Sequence, residues 1–137
     1  MFPFATKILV IDDFANMRKI IKKTLSDLGY NTVDEADDGA TAWPMIENAY
    51  VAGSPYGFII SDWNMPNLKG IDLLKACRSD KRFKNIPFIL VTVESEKEQI
   101  INAANSGVSN YIVKPFTSEL LIKKMERVWQ SYSQINE

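Results

Sequence analysis

The stretch Phe58-Ile59-Ile60-Ser61-Asp62-Trp63-Asn64-Met65-Pro66 changes character abruptly at its acid. Its first four residues, mostly apolar, predict a buried β-strand, and the proline four residues after Asp62 cannot extend a sheet. Asp62 is therefore expected where a strand ends. Ligand sites gather at the carboxyl edge of a parallel sheet, so this acid would face solvent from a rigid support. From these residues alone, a turn acid that only ends the strand is an equally good interpretation.

Outward from this stretch, short apolar runs alternate with segments of helical periodicity. The predicted strands are residues 7–11, 31–36, 58–61, 87–91 and 110–113, and the predicted helices are residues 15–28, 40–50, 71–80, 96–106 and 117–129. This alternation and spacing predict repeated βαβ crossovers, and hence an α/β fold with a doubly wound parallel sheet. No repeat, linker or low-complexity tract interrupts the pattern, so residues 1–137 are expected to form a single domain.

Local signals refine the helices. Gly29 and Gly107 supply helix stops, whereas Ser95 and Thr117 are candidate caps. Pro44 inside the second helix removes a backbone hydrogen bond at a cost of roughly 3 kcal/mol, which predicts a late helix start or a kink. Residues 81–86 form a basic loop. The basic face of the first helix is interpreted as a solvated face, with kinase docking as the alternative.

Composition narrows the function classes. The 137 residues include no histidine, which excludes Ser/His/Asp and Cys/His hydrolases, His-ligated zinc and a phosphohistidine donor. A formal charge of −1 gives no global field that would attract nucleic acid or an anionic membrane. The single cysteine, Cys77, provides no disulfide framework, and no apolar run is long enough to span a bilayer. These features predict a cytoplasmic protein.

Four of the five predicted strands end in a polar or ionisable group. These ends carry Asp12-Asp13, Asp62, Thr92 and Lys114, and a parallel sheet would bring them to one edge. Clustered carboxylates repel unless a cation lies between them, and Mg²⁺ accepts a few carboxylates while it keeps several waters. A lysine and a hydroxyl suit an incoming phosphoryl group. Asp62 is the acid best placed as a nucleophile that would form an acyl phosphate.

This pattern resembles the receiver domain of two-component response regulators, over nearly the whole chain. Three strings narrow the resemblance to single-domain chemotaxis regulators of the CheY type: Ile11-Asp12-Asp13-Phe14 with Met17-Arg18, Ile60-Ser61-Asp62-Trp63-Asn64-Met65-Pro66-Asn67, and Tyr111-Ile112-Val113-Lys114-Pro115-Phe116-Thr117. The resemblance implies a flavodoxin-like fold, with five parallel strands in the order 2-1-3-4-5 flanked by five helices.

The resemblance also implies roles for individual residues. Asp62 would be the phosphoacceptor, with Thr92 bonding the phosphoryl oxygen and Lys114 pairing with it, next to a cis peptide to Pro115. Mg²⁺ would be bound by four groups: Asp12 through water, Asp13, Asp62 and the backbone carbonyl of Asn64. Asn64 and Glu94 would tune the lifetime of the phosphorylated state.

The output face would comprise the fourth helix, fifth strand and fifth helix. Its predicted members are Tyr111, Lys97, Gln99, Ile100, Val108 and Lys124. Tyr111 would be a rotameric switch that turns inward as Thr92 moves. A simple half-buried aromatic is the alternative for this residue.

By the same resemblance, the chain would be a cytoplasmic, monomeric signalling protein. It would not be a classical enzyme, because its chemistry would be limited to self-phosphotransfer and autodephosphorylation. It would accept phosphate from a CheA-like sensor histidine kinase, signal to a FliM-like flagellar motor switch protein and serve as substrate for a phosphatase. Three alternatives stay open: a receiver in a non-chemotaxis phosphorelay, the receiver part of a truncated DNA-binding regulator, and a flavodoxin-like cofactor enzyme. The third lacks a phosphate-cradling glycine loop after the first strand.

The sequence departs from the family pattern at several positions. Val93 stands where the family keeps Ala or Gly, and is expected to crowd the phosphoryl site. Glu96 and Ile122 differ in charge from the chemotaxis proteins, which bears on partner affinity. Trp43-Pro44 and the long loop before Gly57 are expected to affect stability or kinase docking more than chemistry.

Overall fold

Short apolar runs form the strands, as predicted. The computed structural model describes residues 1–93 and 97–135. Within these ranges the strands are β1 (Ile8–Ile11), β2 (Val33–Ala36), β3 (Phe58–Asp62), β4 (Phe88–Thr92) and β5 (Asn110–Val113). The helices are α1 (Ala15–Asp27), α2 (Gly39–Val51), α3 (Gly70–Arg78), α4 (Lys97–Asn105) and α5 (Ser118–Ile135). No helix in the described ranges is both long and apolar enough to cross a bilayer.

The five strands form one parallel sheet in the order β2-β1-β3-β4-β5, which confirms the predicted topology. The register aligns the carboxyl ends of the central strands. Ile11 pairs with Ser61, Asp62 with Val91, and Thr92 with Val113. Because these pairs are in step, the residues that follow each strand emerge at the same edge.

Alternate side chains along each strand enter two hydrophobic clusters on opposite sides of the sheet. Ile59 and Leu90 pack with α2, α3 and α4, whereas Ile60 and Val91 pack with α1 and α5. These central strands are apolar on both faces, as expected of a parallel sheet covered by helices on both sides.

Three of the predicted helix signals are confirmed. Gly107, the predicted stop of the fourth helix, adopts a φ of 83° two residues after α4 ends at Asn105. Gly29 adopts a φ of 102° directly after the cap of α1, a conformation that costs a residue with a Cβ. The Thr117 hydroxyl accepts a hydrogen bond from the Leu120 amide at 3.1 Å, which satisfies one orphan donor of α5. The predicted cap Ser95, together with Glu94 and Glu96, lies outside the described residues.

The prediction of a late start for α2 is wrong. The helix begins at Gly39, because Asp38 and Thr41 form a capping box: the Asp38 carboxylate accepts from the Ala40 amide at 2.9 Å, and the Asp38 amide donates to the Thr41 hydroxyl at 3.2 Å. Pro44 lies inside the helix and removes only the hydrogen bond to the carbonyl of Ala40, which is an exposed residue.

Asp38 also joins α2 to the loop that follows β3. Its carboxylate accepts hydrogen bonds from the backbone amides of Leu68 at 2.8 Å and Asn67 at 3.1 Å. Burial of this carboxyl opposes its ionisation, but the surrounding backbone N–H groups prevail and hold its pKa below the usual value. A single buried acid thus starts one helix and restrains a loop between two other elements.

Replacement of this acid tests its double role. Asp38→Ala removes a helix cap and leaves the partly buried amides of Asn67 and Leu68 without their acceptor, so we expect the free energy of unfolding to fall by about 2–4 kcal/mol. The folded-state pKa of Asp38 is lowered, so its contribution is complete above the unfolded pKa of about 4 and is lost as pH falls through the folded pKa. Urea unfolding at pH 7 and at pH 3 measures both effects.

The matched control is Asp27→Ala, at the exposed end of α1, where the carboxylate makes only a surface ion pair with Lys23. This variant should lose less than about 0.5 kcal/mol. An equal loss for the two variants, or a gap between Asp38→Ala and the wild type that widens at pH 3, would contradict the proposed role of Asp38.

Candidate functional site

Four strand ends meet at one edge of the sheet, as predicted. Asp12 follows β1, Asp62 ends β3, Thr92 ends β4 and Lys114 follows β5. The ladder continues past the strands, since the Lys114 amide donates to the Thr92 carbonyl at 2.6 Å and the Asp12 amide to the Ala36 carbonyl at 3.1 Å. Asp12, Thr92 and Asp62 are only 1%, 3% and 6% exposed. The functional groups are therefore held by sheet backbone rather than by loops.

Lys114 bridges the two buried acids. Its Nζ donates to Asp12 Oδ2 at 3.1 Å and lies 3.5 Å from Asp62 Oδ1. The second Asp12 oxygen accepts from the Phe14 amide at 2.9 Å, so both oxygens of that carboxylate are engaged. The Lys114–Pro115 peptide is cis, as predicted. One ammonium group thus opposes the charge of two carboxylates, which leaves the site anionic.

A divalent cation would balance the negative charge that remains at the site. Asp12, Asp13 and Asp62 each offer one carboxylate oxygen, and these oxygens lie within 4.8 Å of one another. Asp13 is exposed, whereas the other two acids are buried. A hard cation with oxygen ligands, such as Mg²⁺, suits this donor set. The predicted fourth ligand, the Asn64 carbonyl, belongs to the loop that begins just after Asp62.

The electrostatics of Asp62 follow from its surroundings. Burial raises the pKa of its carboxyl to about 6, the charge of Asp12 adds to this effect, and Lys114 opposes it. A carboxylate that resists ionisation gains from any cation brought close to it. The same environment that makes Asp62 costly to ionise therefore favours metal binding at this edge.

The loop from Trp63 to Lys69 is held tightly against the site. The Trp63 amide donates to the Val91 carbonyl at 2.8 Å, and the Gly70 amide donates to the Trp63 carbonyl at 3.0 Å. A Cβ built on Gly70 would overlap the carbonyl oxygen of Asp62 and lie 2.9 Å from the Ser61 hydroxyl. Only glycine allows the start of α3 to approach the Asp62 backbone this closely.

Thr92 is the point where the site meets the predicted output face. Its hydroxyl donates to the side-chain oxygen of Gln99 at 3.4 Å. Around this contact lies a cavity of about 10 Å³ lined by Trp63, Thr92, Gln99, Ile100, Ala103 and Tyr111. The Thr92 hydroxyl thus contacts α4 through Gln99, and Thr92 lines the same small cavity as the Tyr111 ring.

The structure brings most of the predicted output residues together. Tyr111 is half-buried, and the Lys124 Nζ lies 5.1 Å from its ring centroid while also donating to the Asn110 side chain. Burial lowers the pKa of Lys124. Val108 packs against the same cluster as Tyr111. The side chain of Lys97 lies outside the described part of the chain.

Two further residues singled out from the sequence, Asn64 and Val93, lie next to the site and are exposed to solvent. Asn64 is exposed directly beyond the buried Trp63, and Val93 is 60% exposed directly beyond Thr92. Glu94, the other predicted lifetime residue, lies outside the described residues.

Sequence reasoning missed three positioning residues. Gly70 and the loop-binding role of Asp38 concern contacts between distant segments, for which the chain carries no local signal. The third is Arg18, whose guanidinium donates to the Asp12 carbonyl at 2.7 Å and to Glu35 at 2.9 Å. Its place on α1 could have been found from helical periodicity, because it lies one turn after Phe14 and faces the end of β1.

Comparisons with known proteins agree with this geometry. Residues 8–126 match the model of the response regulator receiver domain. The chain is 48% identical to the chemotaxis protein CheY of Pseudomonas aeruginosa over 124 residues, which cover 90% of this chain and 96% of that protein. It is 50% identical to the chemotaxis protein CheY1 of Helicobacter pylori over 122 residues, which cover 89% and 95% of the two chains.

Solved structures show the same architecture. The Vibrio cholerae chemotaxis protein CheY4 superposes with a TM-score of 0.79 at 34% identity, over 90% of this chain and 98% of that one. A CheY-like receiver domain from Methanospirillum hungatei has a TM-score of 0.82 at 23% identity, over 95% and 98% of the two chains, and shares the fold.

For the acidic cluster, we expect one substitution to raise stability without metal and to reduce the stabilisation that Mg²⁺ provides. Asp13→Asn removes one of three repelling charges, so without metal we expect the free energy of unfolding to rise by about 1 kcal/mol. The same change removes a ligand, so most of the increase in Tm caused by millimolar Mg²⁺ should disappear. Thermal unfolding with and without MgCl₂ measures both. The control is Asp37→Asn, an exposed acid after β2; an equal loss of the Mg²⁺ effect there would contradict the site.

Gly70 provides a steric test. Alanine normally stabilises a helix by about 1 kcal/mol relative to glycine. Because Gly70→Ala would force the Asp62 carbonyl aside, we expect instead a loss of about 2 kcal/mol and a weaker response of Trp63 fluorescence to Mg²⁺. The neighbouring exposed Lys69→Ala should preserve both properties. A Gly70→Ala protein with wild-type stability and Mg²⁺ affinity would refute the close approach.

Proposed function

Because the chain belongs to the response regulator receiver domain family, we propose that it is a stand-alone chemotaxis response regulator. In this function it would accept a phosphoryl group on Asp62. Its donor would be a sensor histidine kinase of the chemotaxis type, and its target the flagellar motor switch. In this role residues 1–137 act as a monomeric, cytoplasmic signalling module. The similarity to chemotaxis proteins over about nine-tenths of the chain supports this function over a receiver in another relay.

The observation that carries the proposal is the pairing of one buried nucleophile with one cation and one hydroxyl. Asp62 lies 3.5 Å from the Lys114 ammonium, and Thr92 ends the neighbouring strand one residue after Val91, the register partner of Asp62. A carboxylate needs only correct position and charge neutralisation to attack phosphorus. A purely structural set of buried acids would be costly to maintain in this form.

The chemical step follows from these positions. An Asp62 oxygen forms a bond to phosphorus as the N–P bond of the donor's phosphohistidine breaks, and the electron pair stays on the imidazole nitrogen. Lys114 then pairs with a phosphoryl oxygen instead of with the free carboxylate. Thr92 donates its hydroxyl hydrogen to another phosphoryl oxygen. Hydrolysis later returns the carboxylate and inorganic phosphate.

The residues of this edge suit Mg²⁺, which would be held by Asp13, Asp62, the Asn64 carbonyl and, through water, Asp12. When bound, the ion would neutralise charge on the transferring phosphoryl group. The exposed Asn64 side chain and Glu94 would control how water reaches the acyl phosphate. Val93 would restrict the same space and slow loading or hydrolysis.

Signal output would begin at Thr92. When its hydroxyl turns to the phosphoryl group, it gives up the contact with Gln99, and Tyr111 is drawn toward the space it leaves. The surface formed by α4, β5 and α5 then changes shape where Ile100, Val108 and Lys124 meet a partner. This change would raise affinity for the motor switch protein.

Beryllofluoride, a stand-in for the phosphoryl group, tests the proposal. In the presence of Mg²⁺ it should change Trp63 fluorescence, because this indole is buried beside Asp62, and should tighten binding of an N-terminal peptide of the cognate motor switch protein several-fold. Asp62→Asn removes the attacking oxygen and should abolish both effects. Asp72→Asn, an exposed acid on α3, is the matched control.

The outcomes separate the parts of the proposal. A fluorescence response without any gain in peptide affinity keeps the phosphoacceptor and rejects the motor partner. No response of the wild type to Mg²⁺ and beryllofluoride, or a full response of Asp62→Asn, rejects Asp62 as the acceptor.

A further inference from the structure

Three adjoining depressions lie at the amino-terminal edge of the sheet, opposite the acidic site. Their volumes are about 210, 310 and 460 Å³. Tyr132 lines all three, Pro87 and Asn85 line two, and Pro55 and Gly57 line another two. We name this continuous depression the basic groove. The residues before β1, β3, β4 and β5 form its floor, so it is remote from Asp62.

The groove carries a marked imbalance of charge. Sixteen basic and seventeen acidic residues nearly cancel in the whole chain, yet the described residues that line the groove include five basic side chains and no acidic one. The five are Lys7, Arg78, Lys81, Arg82 and Lys84. Among the described residues only Arg82 is neutralised, by Asp80 at 2.7 Å and Glu47 at 3.0 Å.

Only some of these basic side chains form hydrogen bonds that stabilise the fold. Arg78 donates to the carbonyls of Gly107 and Ile86 at 2.8 and 2.7 Å, and Lys7 donates to the Ser54 carbonyl at 3.1 Å. These bonds satisfy carbonyls at the edge where helices end. By contrast, Lys81 and Lys84 are exposed and form no side-chain hydrogen bond or ion pair with any described residue. Their charge is available to a ligand.

Aromatic and proline side chains supply apolar contact area beneath this charge. The exposed or half-buried members are Tyr50, Pro55, Trp129 and Tyr132, and the lining also includes the buried Tyr56 and Pro87. Phe2 lies 5.0 Å from Trp129 between ring centroids, and Tyr56 bonds Asp34 at 2.7 Å. The rings are thus supported from behind. Lysines around an aromatic floor favour a ligand with both carboxylates and apolar groups.

We propose that the basic groove binds an extended acidic peptide segment of a partner protein, with its carboxylates at Lys81 and Lys84 and its apolar side chains on the aromatic floor. Three depressions in series fit consecutive side chains of an extended chain, whereas a mononucleotide would fill one. A concave surface also fits a peptide better than a flat membrane. Since the lining contains no residue of the acidic site, binding should be independent of Asp62 phosphorylation.

The test uses a fluorescein-labelled peptide that repeats Glu-Glu-Phe three times, titrated with the intact protein and followed by anisotropy. Lys81→Glu with Lys84→Glu should weaken binding at least tenfold, and the milder pair Lys81→Ala with Lys84→Ala should weaken it several-fold. The control pair, Lys19→Glu with Lys23→Glu on α1, makes the same charge change elsewhere and should alter affinity less than twofold. Beryllofluoride should leave the affinity unchanged.

Amide chemical shifts should change at residues 54, 56, 57, 81–86 and 107–109 on addition of the peptide. An equal effect of the α1 pair would show general charge attraction and overturn the proposal. Stronger binding of ATP or phosphatidylglycerol vesicles than of the peptide, with the same shifts, would assign the groove to another ligand and also overturn it. Neither result would affect the proposed phosphoacceptor role, which is measured with beryllofluoride.

Discussion

The contact of Lys114 with two buried carboxylates is the interaction on which the functional edge depends. Asp12 and Asp62 come from strands that are adjacent in the sheet but distant in sequence, and both are nearly inaccessible to solvent. Two such acids would repel strongly without a cation. Lys114, 102 residues after Asp12, reaches them because β5 ends at the same level as β3 and β4. The balance of charge at the site therefore depends on the register of the sheet.

The surrounding structure restricts movement around that ion pair. Arg18 donates to the Asp12 carbonyl, the Phe14 amide to its carboxylate, and Gly70 lets α3 begin against the Asp62 backbone. Asp38 restrains the same loop from the side of α2. Such support holds the backbone of the acidic edge in place around Lys114 and the Thr92 hydroxyl.

Much of this arrangement was predictable from local sequence. Apolar runs ending in Asp12, Asp62, Thr92 and Lys114 contain both the strand and the polar group that follows it, so one window reveals each strand end. Their assembly follows from the parallel topology. The start of α2 was predicted wrongly because the cost of Pro44 was weighed without the capping box that precedes it. The roles of Gly70 and the basic groove needed coordinates, since they join segments that share no pattern along the chain.

The division of the core into two clusters has an evolutionary consequence. Trp63 and Tyr111 belong to the layer with α2, α3 and α4, whereas Met125 and Leu121 belong to the layer with α1 and α5, and the sheet separates them. Substitutions among the buried side chains of one layer reach those of the other through strand backbone, which is held by its ladder. Lineages can therefore vary the buried side chains of α1 without repacking Trp63, whereas changes on α5 can reach Tyr111 through Lys124.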